Sequence, residues 1–349
     1  MNLQEKQRVF PEKIRPLISE LTNVIVVKDG VIEKNTVSDA ALSIEAQPLD
    51  EQLTKAFDDH DPVIKENLKS ASFSLLITVK KDCTIKEPIN LFIIQDKTTN
   101  VVNVSMVAEA GSSAQIREYI YTDTSQTVNY LSRSYLHPSS QLDYIGIVNL
   151  DKDSLSAINR QVIVMDNAKA LLKTAQLGDG KTSQKVDVDL NGPFAYGEVK
   201  TIAIASEEQE VIIHTHVEHK AKNTQGEIEH YGVAANESFL VFEGTGKIHK
   251  GMKQSIAHQS NNGVVLGRYA RLDANPLLLI DEYDVEASHG AAIGRIDEEQ
   301  LYYLMSRGLS EKDAQRLIIN GFLAPLKDLM ENENLKDYIQ GLLETKTGR

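Results

Sequence analysis

Between residues 71 and 286 the chain is a succession of short β-rich runs, and no amphipathic helix of normal length interrupts them. FSLLITV, VVNVSMVAEA, LDYIGIVNL, VKTIAIA, EVIIHTHV and LLLIDEYDV are representative. The runs recur about every 10 to 20 residues and are separated by Gly, Asn, Asp and Ser turns. Several, such as INLFIIQ, are continuously apolar rather than alternating, as in strands covered on both faces. A zone of this texture fits a sandwich, a barrel or a β-solenoid. No strict sequence repeat is visible and the turns are not the two-residue Asn-Gly loops of a meander. The pattern alone therefore leaves solenoid and sandwich open.

Mixed and helical segments flank this zone. EKIRPLISELTN places Ile14, Leu17, Ile18 and Leu21 on one helical face. NVIVVKDGVIEKN predicts a short hairpin around Asp29-Gly30. LDEQLTKAFDDH and the segment after Pro62 return to helix. Beyond the β zone, Asp297 is a good N-cap for a helix carrying Leu301, Leu304 and Met305, and Gly308 ends it as a C′ residue. Ser310 caps the next helix, with Asp313 in its first turn and a stripe of Ala314, Leu317, Ile318, Phe322, Leu326 and Leu329. A last helix carries Leu335, Tyr338, Ile339, Leu342 and Leu343. Helices this short must pack on the β core, on a partner, or on both. The expected division is a mixed region over 1–70, a β core over 71–290 and a helical region over 291–349.

Composition removes several classes of function. A net charge of −13 argues against nucleic acid and anionic membranes as partners, since phosphate binding needs clustered Lys and Arg. No run approaches the roughly 18 apolar residues of a membrane span. MNLQEKQRVFPEK lacks the apolar centre of a secretory signal, and Cys83 is the single cysteine, so a reducing cytoplasm is the expected setting. Trp is absent, which disfavours a sugar-binding groove.

The chemistry-bearing residues are few. In HTHVEH, a strand would project His214 and His216 from one face, as a metal site requires. A cupin-like metal enzyme is one reading. Lys220 and Ala221 occupy the places of the expected glutamate, leaving His230 or His258 as third ligands. His230 and His249 are expected at solvated strand ends. Lys80 and Lys81 stand close enough to Cys83 to favour its thiolate, while a free cysteine beside a strand more often serves as a small hydrophobe. GTGKIHKG does not have the spacing of a phosphate loop, so intrinsic ATP hydrolysis is not expected. Ser288-His289-Gly290 is expected at the corner where the last strand gives way to the helical tail. There Gly290 would permit φ > 0 and Gly294 a second tight turn.

DVEASHGAAIGRIDEEQLYYLMSRGLSEKDAQRLIINGFL resembles the C-terminal signature of the SufB/SufD family of iron–sulfur cluster assembly scaffolds. The matching residues are Asp284-Val285, Ser288-His289-Gly290-Ala291, Gly294, Asp297-Glu298-Glu299, Tyr302-Tyr303, Ser306-Arg307-Gly308 and Gly321-Phe322. The resemblance implies a mainly β fold with flanking helices, a right-handed parallel β-helix followed by a helical C-terminal region. At roughly 20 to 25 residues per coil, it would have roughly nine or ten coils. It implies a non-catalytic scaffold subunit whose terminal helices dock an ABC-type, SufC-like ATPase through Asp297, Glu298, Tyr302, Tyr303, Arg307, Gly308 and Phe322. It also implies pairing with a SufB-like paralogue, His289 lying at that interface as the matching cluster-assembly residue and the metal ligand from this side. In GRYARLDANP, Ala270 stands near the position of the cysteine carried by SufB-type chains, so a SufD-type subunit is favoured. Iron–sulfur clusters are typically held by four thiolates. With one cysteine, this chain is expected to share a transient cluster with its partner and to hold none tightly alone. A homodimer of the isolated chain is a further expectation.

Overall fold

The structure, a computed structural model, describes residues 10–46, 55–57, 61–97, 101–329 and 333–347. Most of the helix expected over LDEQLTKAFDDH lies outside the described residues.

Successive strands of the β zone do not pair with each other. They alternate between a ten-stranded and a nine-stranded sheet, and each pairs in parallel with the strand one coil earlier. Ser113, Gln141, Lys169, Tyr196, Gln225, Ile256 and Glu286 stand in one row, so a coil takes 27 to 31 residues. The result is a parallel β-helix of about eight turns, which removes the sandwich. The coils are longer and fewer than expected because each carries two long strands, commonly of ten residues, as in Thr127–Leu136 and Leu155–Val164.

A backbone repeat underlies the coils. Asp82, Gly111, Ser139, Asn167, Phe194, Asn223 and Gln254 all have φ between 56° and 69°, one at the same corner of each successive coil. The chain turns there through the left-handed region, which Asn, Asp and Gly tolerate best.

Inward positions fill the lumen. Most are aliphatic, such as Ile116, Leu172, Val199 and Ile228. A polar network interrupts them. Arg160 Nη2 lies 2.7 Å from Glu118 Oε1, both side chains being 1% exposed. Arg160 also donates to Tyr144 Oη at 2.8 Å and to Gln184 Oε1 at 2.9 Å, while the Tyr130 hydroxyl donates to Glu118. Gly146 makes room, since a Cβ there would stand 3.0 Å from Arg160 Nη2. The chain of bonds continues from Gln184 to Thr174 and on to Thr201.

The outer face of the ten-stranded sheet is apolar as well, which explains the unbroken apolar runs. Phe92, Tyr119, Ile147, Leu177, Ile204 and Val233 lie beneath helices α1 (Arg15–Glu20), α4 (Glu311–Phe322) and α5 (Glu333–Thr347). Helix α2 (Pro62–Ser70), N-capped by Asp61, crosses the other sheet and ties to it through Asn67 and Asn129. Ala314, Leu326, Leu335, Ile339 and Leu343 are buried as expected. Leu317 is 53% exposed, and Ile319 and Leu323 are buried instead. The stripe is rephased because the helix ends at Phe322 and a 3₁₀ turn, Ala324–Leu329, follows. Helix α3 (Glu298–Ser306) buries no residue at all.

The two ends of the β-helix differ. At the N-terminal end the hairpin Val24–Lys28/Val31–Asn35 adds an antiparallel strand to one sheet, turning at Asp29 and Gly30 as expected. Leu42–Ala46 closes the other sheet in the same way against Phe73–Val79. Among the described residues no strand pairs beyond the last coil, Arg271–Ile280 and Glu286–Arg295.

Candidate functional site at the open end

His289 lies in the middle of the strand Glu286–Arg295, not at a break. Ten consecutive pairs hold that strand against Ile256–Leu266, with Gln259 beside His289. Neither Gly290 nor Gly294 has positive φ, because the parallel ladder keeps both extended. Gly308 does, at φ 98°, ending α3 as expected.

Register decides where His289 sits. Ala257, Gln259 and Asn261 are buried inward-facing residues. Their ladder partners Ala287, His289 and Ala291 therefore occupy inward positions too. All ten residues of the last strand are nonetheless exposed, since no coil covers them. His289 thus stands at the mouth of the lumen.

Polar groups lie directly beneath it. Gln259 spans the lumen and donates from Nε2 to Leu277 O at 2.9 Å, with Gly244 opposite leaving space for its amide. Asn261 Oδ1 is 2.8 Å from His230 Nδ1, and His230 Nε2 is 2.9 Å from Thr215 Oγ1. His230 stacks on Phe242 at 4.7 Å. It is fully buried, not at the solvated strand end expected for it. The alternation of EIEHYG within a strand was the signal that could have placed it inside. His249, by contrast, is half-exposed and contacts Glu218 Oε1 at 2.7 Å. Lys247 and Lys220, with His249, hold the Glu218 carboxyl down at about 2 against the cost of its burial.

Burial pushes both His219 and His230 down to about 4. Their folded state stays neutral where the unfolded chain, near 6.5, takes up protons. The unfolded state then binds more protons between these values, so stability is complete above about pH 6.5 and is lost as pH falls toward 4. Each histidine contributes on the order of 3 kcal/mol to that loss. Urea midpoints measured from pH 7.5 to 4.5 should fall steeply. Replacing His230 with Gln should flatten the slope, and an unchanged slope would contradict the assignment.

The residues expected to dock an ATPase cluster only in part. Asp297 N-caps α3 by accepting from Gln300 N at 2.9 Å, and Glu298 lies in its first turn. Tyr302 and Tyr303 are 75% and 56% exposed, and Arg307 lies over the Tyr303 ring at 5.2 Å. Phe322 instead packs edge-on against Tyr231, within the helix-covered core. His214 and His216 share the outer face of their strand, as expected. The third ligands proposed for them do not join: His230 is in the lumen, and His258 is in the other sheet, 2.7 Å from Ser288 Oγ. Among the described residues no three His, Cys, Asp or Glu side chains are grouped to hold a metal ion.

Comparison with known proteins agrees with this architecture. The SufBD core domain of the SUF system for FeS cluster assembly matches residues 92–322. The chain belongs to the SufB/SufD family. Within it the chain is of the SufD type: it is 33% identical over 274 residues to the iron-sulfur cluster assembly protein SufD of Bacillus subtilis, covering 77% of this chain and 63% of that protein. SufD of Escherichia coli is 28% identical over 181 residues, 52% of this chain and 43% of that one. The SufBD family protein PH1385 of Pyrococcus horikoshii is 27% identical over 274 residues, 73% and 58% respectively. The aligned regions thus span about half of these relatives' lengths, from 43% to 63%.

Proposed function

We propose that this chain is a non-catalytic scaffold subunit of a SufBCD-type iron–sulfur assembly complex in the cytoplasm. The observation that carries the reading is the uncapped last coil with His289 in its inward register. Solenoids normally end in capping segments with a polar outer face. A SufB-like β-helix stacked on this mouth would serve as the cap and enclose His289 at the seam. The nascent cluster is the cargo of that seam, its thiolates coming from the partner, since this chain offers only Cys83. The same open end would let the isolated chain pair with a second copy. No helix among the described residues is long and apolar enough to cross a membrane.

Helix α3 supports the second contact. It buries nothing, yet displays Tyr302, Tyr303 and Met305. Exposed aromatics beside an arginine are typical binding anchors. Together they fit a SufC-like ATPase. Co-expression with a SufB-like paralogue and such an ATPase tests both contacts. Tyr302→Ala/Tyr303→Ala should cost about 2 kcal/mol of ATPase affinity, roughly thirtyfold in Kd, and leave the paralogue bound. Equal ATPase retention would remove α3 from the docking surface, and failure to recover the paralogue would remove the scaffold reading.

A further inference from the structure

We propose that His214 and His216 form a two-imidazole capture site for a borderline divalent cation, with ferrous iron as the physiological ion. The strand Glu210–His219 turns its odd-numbered residues inward, so both histidines stand on the outer face, 42% and 34% exposed. The neighbouring strands each supply a carboxylate. Glu243 Oε2 lies 2.8 Å from His214 Nδ1, and Asp187 Oδ1 lies 3.9 Å from His216 Nδ1. Each ring has its carboxylate on the Nδ1 side, His214 at hydrogen-bond distance and His216 beyond it, which leaves both Nε2 atoms for a ligand. A metal-binding imidazole is prepared as His214 is: the carboxylate accepts a hydrogen bond from Nδ1–H, fixes the tautomer and directs the Nε2 lone pair outward. Residues two apart on a strand are about 7 Å apart, a span two imidazole side chains can close around one ion.

The surroundings point to a polar, positively charged ligand. The pair lines a groove of about 610 Å³ between the start of α2 and the last strand of this sheet. Asp187 also lines that groove, and its Oδ1 is buried without a hydrogen-bond partner. Unpartnered buried groups are costly and call for a ligand. Water on a bound cation is a strong donor, which is what Asp187 Oδ1 lacks. The charge of Lys185 is matched by Asp61 at 3.0 Å and Asp187 at 3.3 Å, and Glu243 adds a further negative charge. Imidazole donors select Fe²⁺, Co²⁺ or Zn²⁺ over Mg²⁺ or Ca²⁺. No third His, Cys, Asp or Glu completes a cage among the described residues, so the ion keeps open positions and exchanges. This is a transit site rather than a resident one. Its role as an iron intake rests on the proposed assembly function, whereas the binding itself does not.

The test titrates Co²⁺ into the full chain under excess Mg²⁺, read by its visible absorption, and repeats the titration with Fe²⁺ anaerobically. A His289→Ala background removes any contribution from the mouth. One ion per chain is expected. His214→Ala and His216→Ala should each weaken binding at least tenfold. Glu243→Gln, which leaves both rings in place, should also weaken it by about tenfold. These side chains lie on the outer face and are at least a third exposed, so the melting temperature serves as the control and should not move. Equal binding by the His214→Ala/His216→Ala double variant, or no uptake under excess Mg²⁺, would overturn the proposal. A complex that fails to assemble clusters would leave this result standing, and absence of the ion would leave the co-purification result standing.

Discussion

In the reconstituted complex, His289→Ala is expected to preserve subunit stoichiometry while lowering cluster yield at least tenfold. His289 is exposed, so the isolated variant should unfold within about 0.5 kcal/mol of the parent. Its value lies in position. The ladder with Gln259 places it in the inward column at the mouth, where a stacked coil would enclose it. His258 provides the matched control. It is one residue away in register, beside Ser288 and half-exposed on the outer side of the same sheet. His258→Ala should assemble clusters at near-parental yield. Anaerobic reconstitution followed by visible absorption measures both. If the two variants behaved alike, the inward column would have no special role at the seam.

Arg160→Leu should be the most damaging single change to the fold. Arg160 and Glu118 are both buried, and removing the guanidinium leaves Glu118 without its counter-charge. Breaking a buried pair on one side costs about 3–5 kcal/mol. Gln184 and Tyr144 would lose a donor as well. The Arg160→Leu/Glu118→Leu double variant removes both charges and should lose less than the sum of the two single changes. Urea unfolding of the four proteins closes that cycle. Additive losses would mean that the pair is not coupled as the geometry implies.

The sequence showed the β zone, the N-terminal hairpin and the caps of α3 and α4 because each has a local chemical signal. Asp29-Gly30 supplies left-handed backbone, and Asp297 and Ser310 supply capping oxygens. The coil period was hidden because its marker is a dihedral angle. The seven corner positions are filled by Asp, Gly, Ser, Asn, Phe, Asn and Gln, so no single residue type marks the corner. Without that period the expected coil is too short and His289 falls at a corner. Its two neighbouring glycines resembled a turn, and only the pairing with the preceding coil shows them extended. His230 has a different cause: the alternation of EIEHYG puts it on the face of Ile228, but that this face is the lumen rather than solvent shows only when coils about 30 residues apart in sequence stack. The resemblance to the SufB/SufD family supplied the architecture that periodicity left undecided.

The regular stacking has a metric consequence. Neighbouring parallel strands lie about 4.8 Å apart. The separation between the hairpin at one end and the mouth at the other is therefore quantised by the number of turns. A deletion of one whole turn would shorten the molecule by a single step and keep every inward residue inward. A deletion of one residue within a strand would reverse the facing of everything after it as far as the next corner. The molecule is in this sense a ruler graduated in coils, with His289 at its last mark.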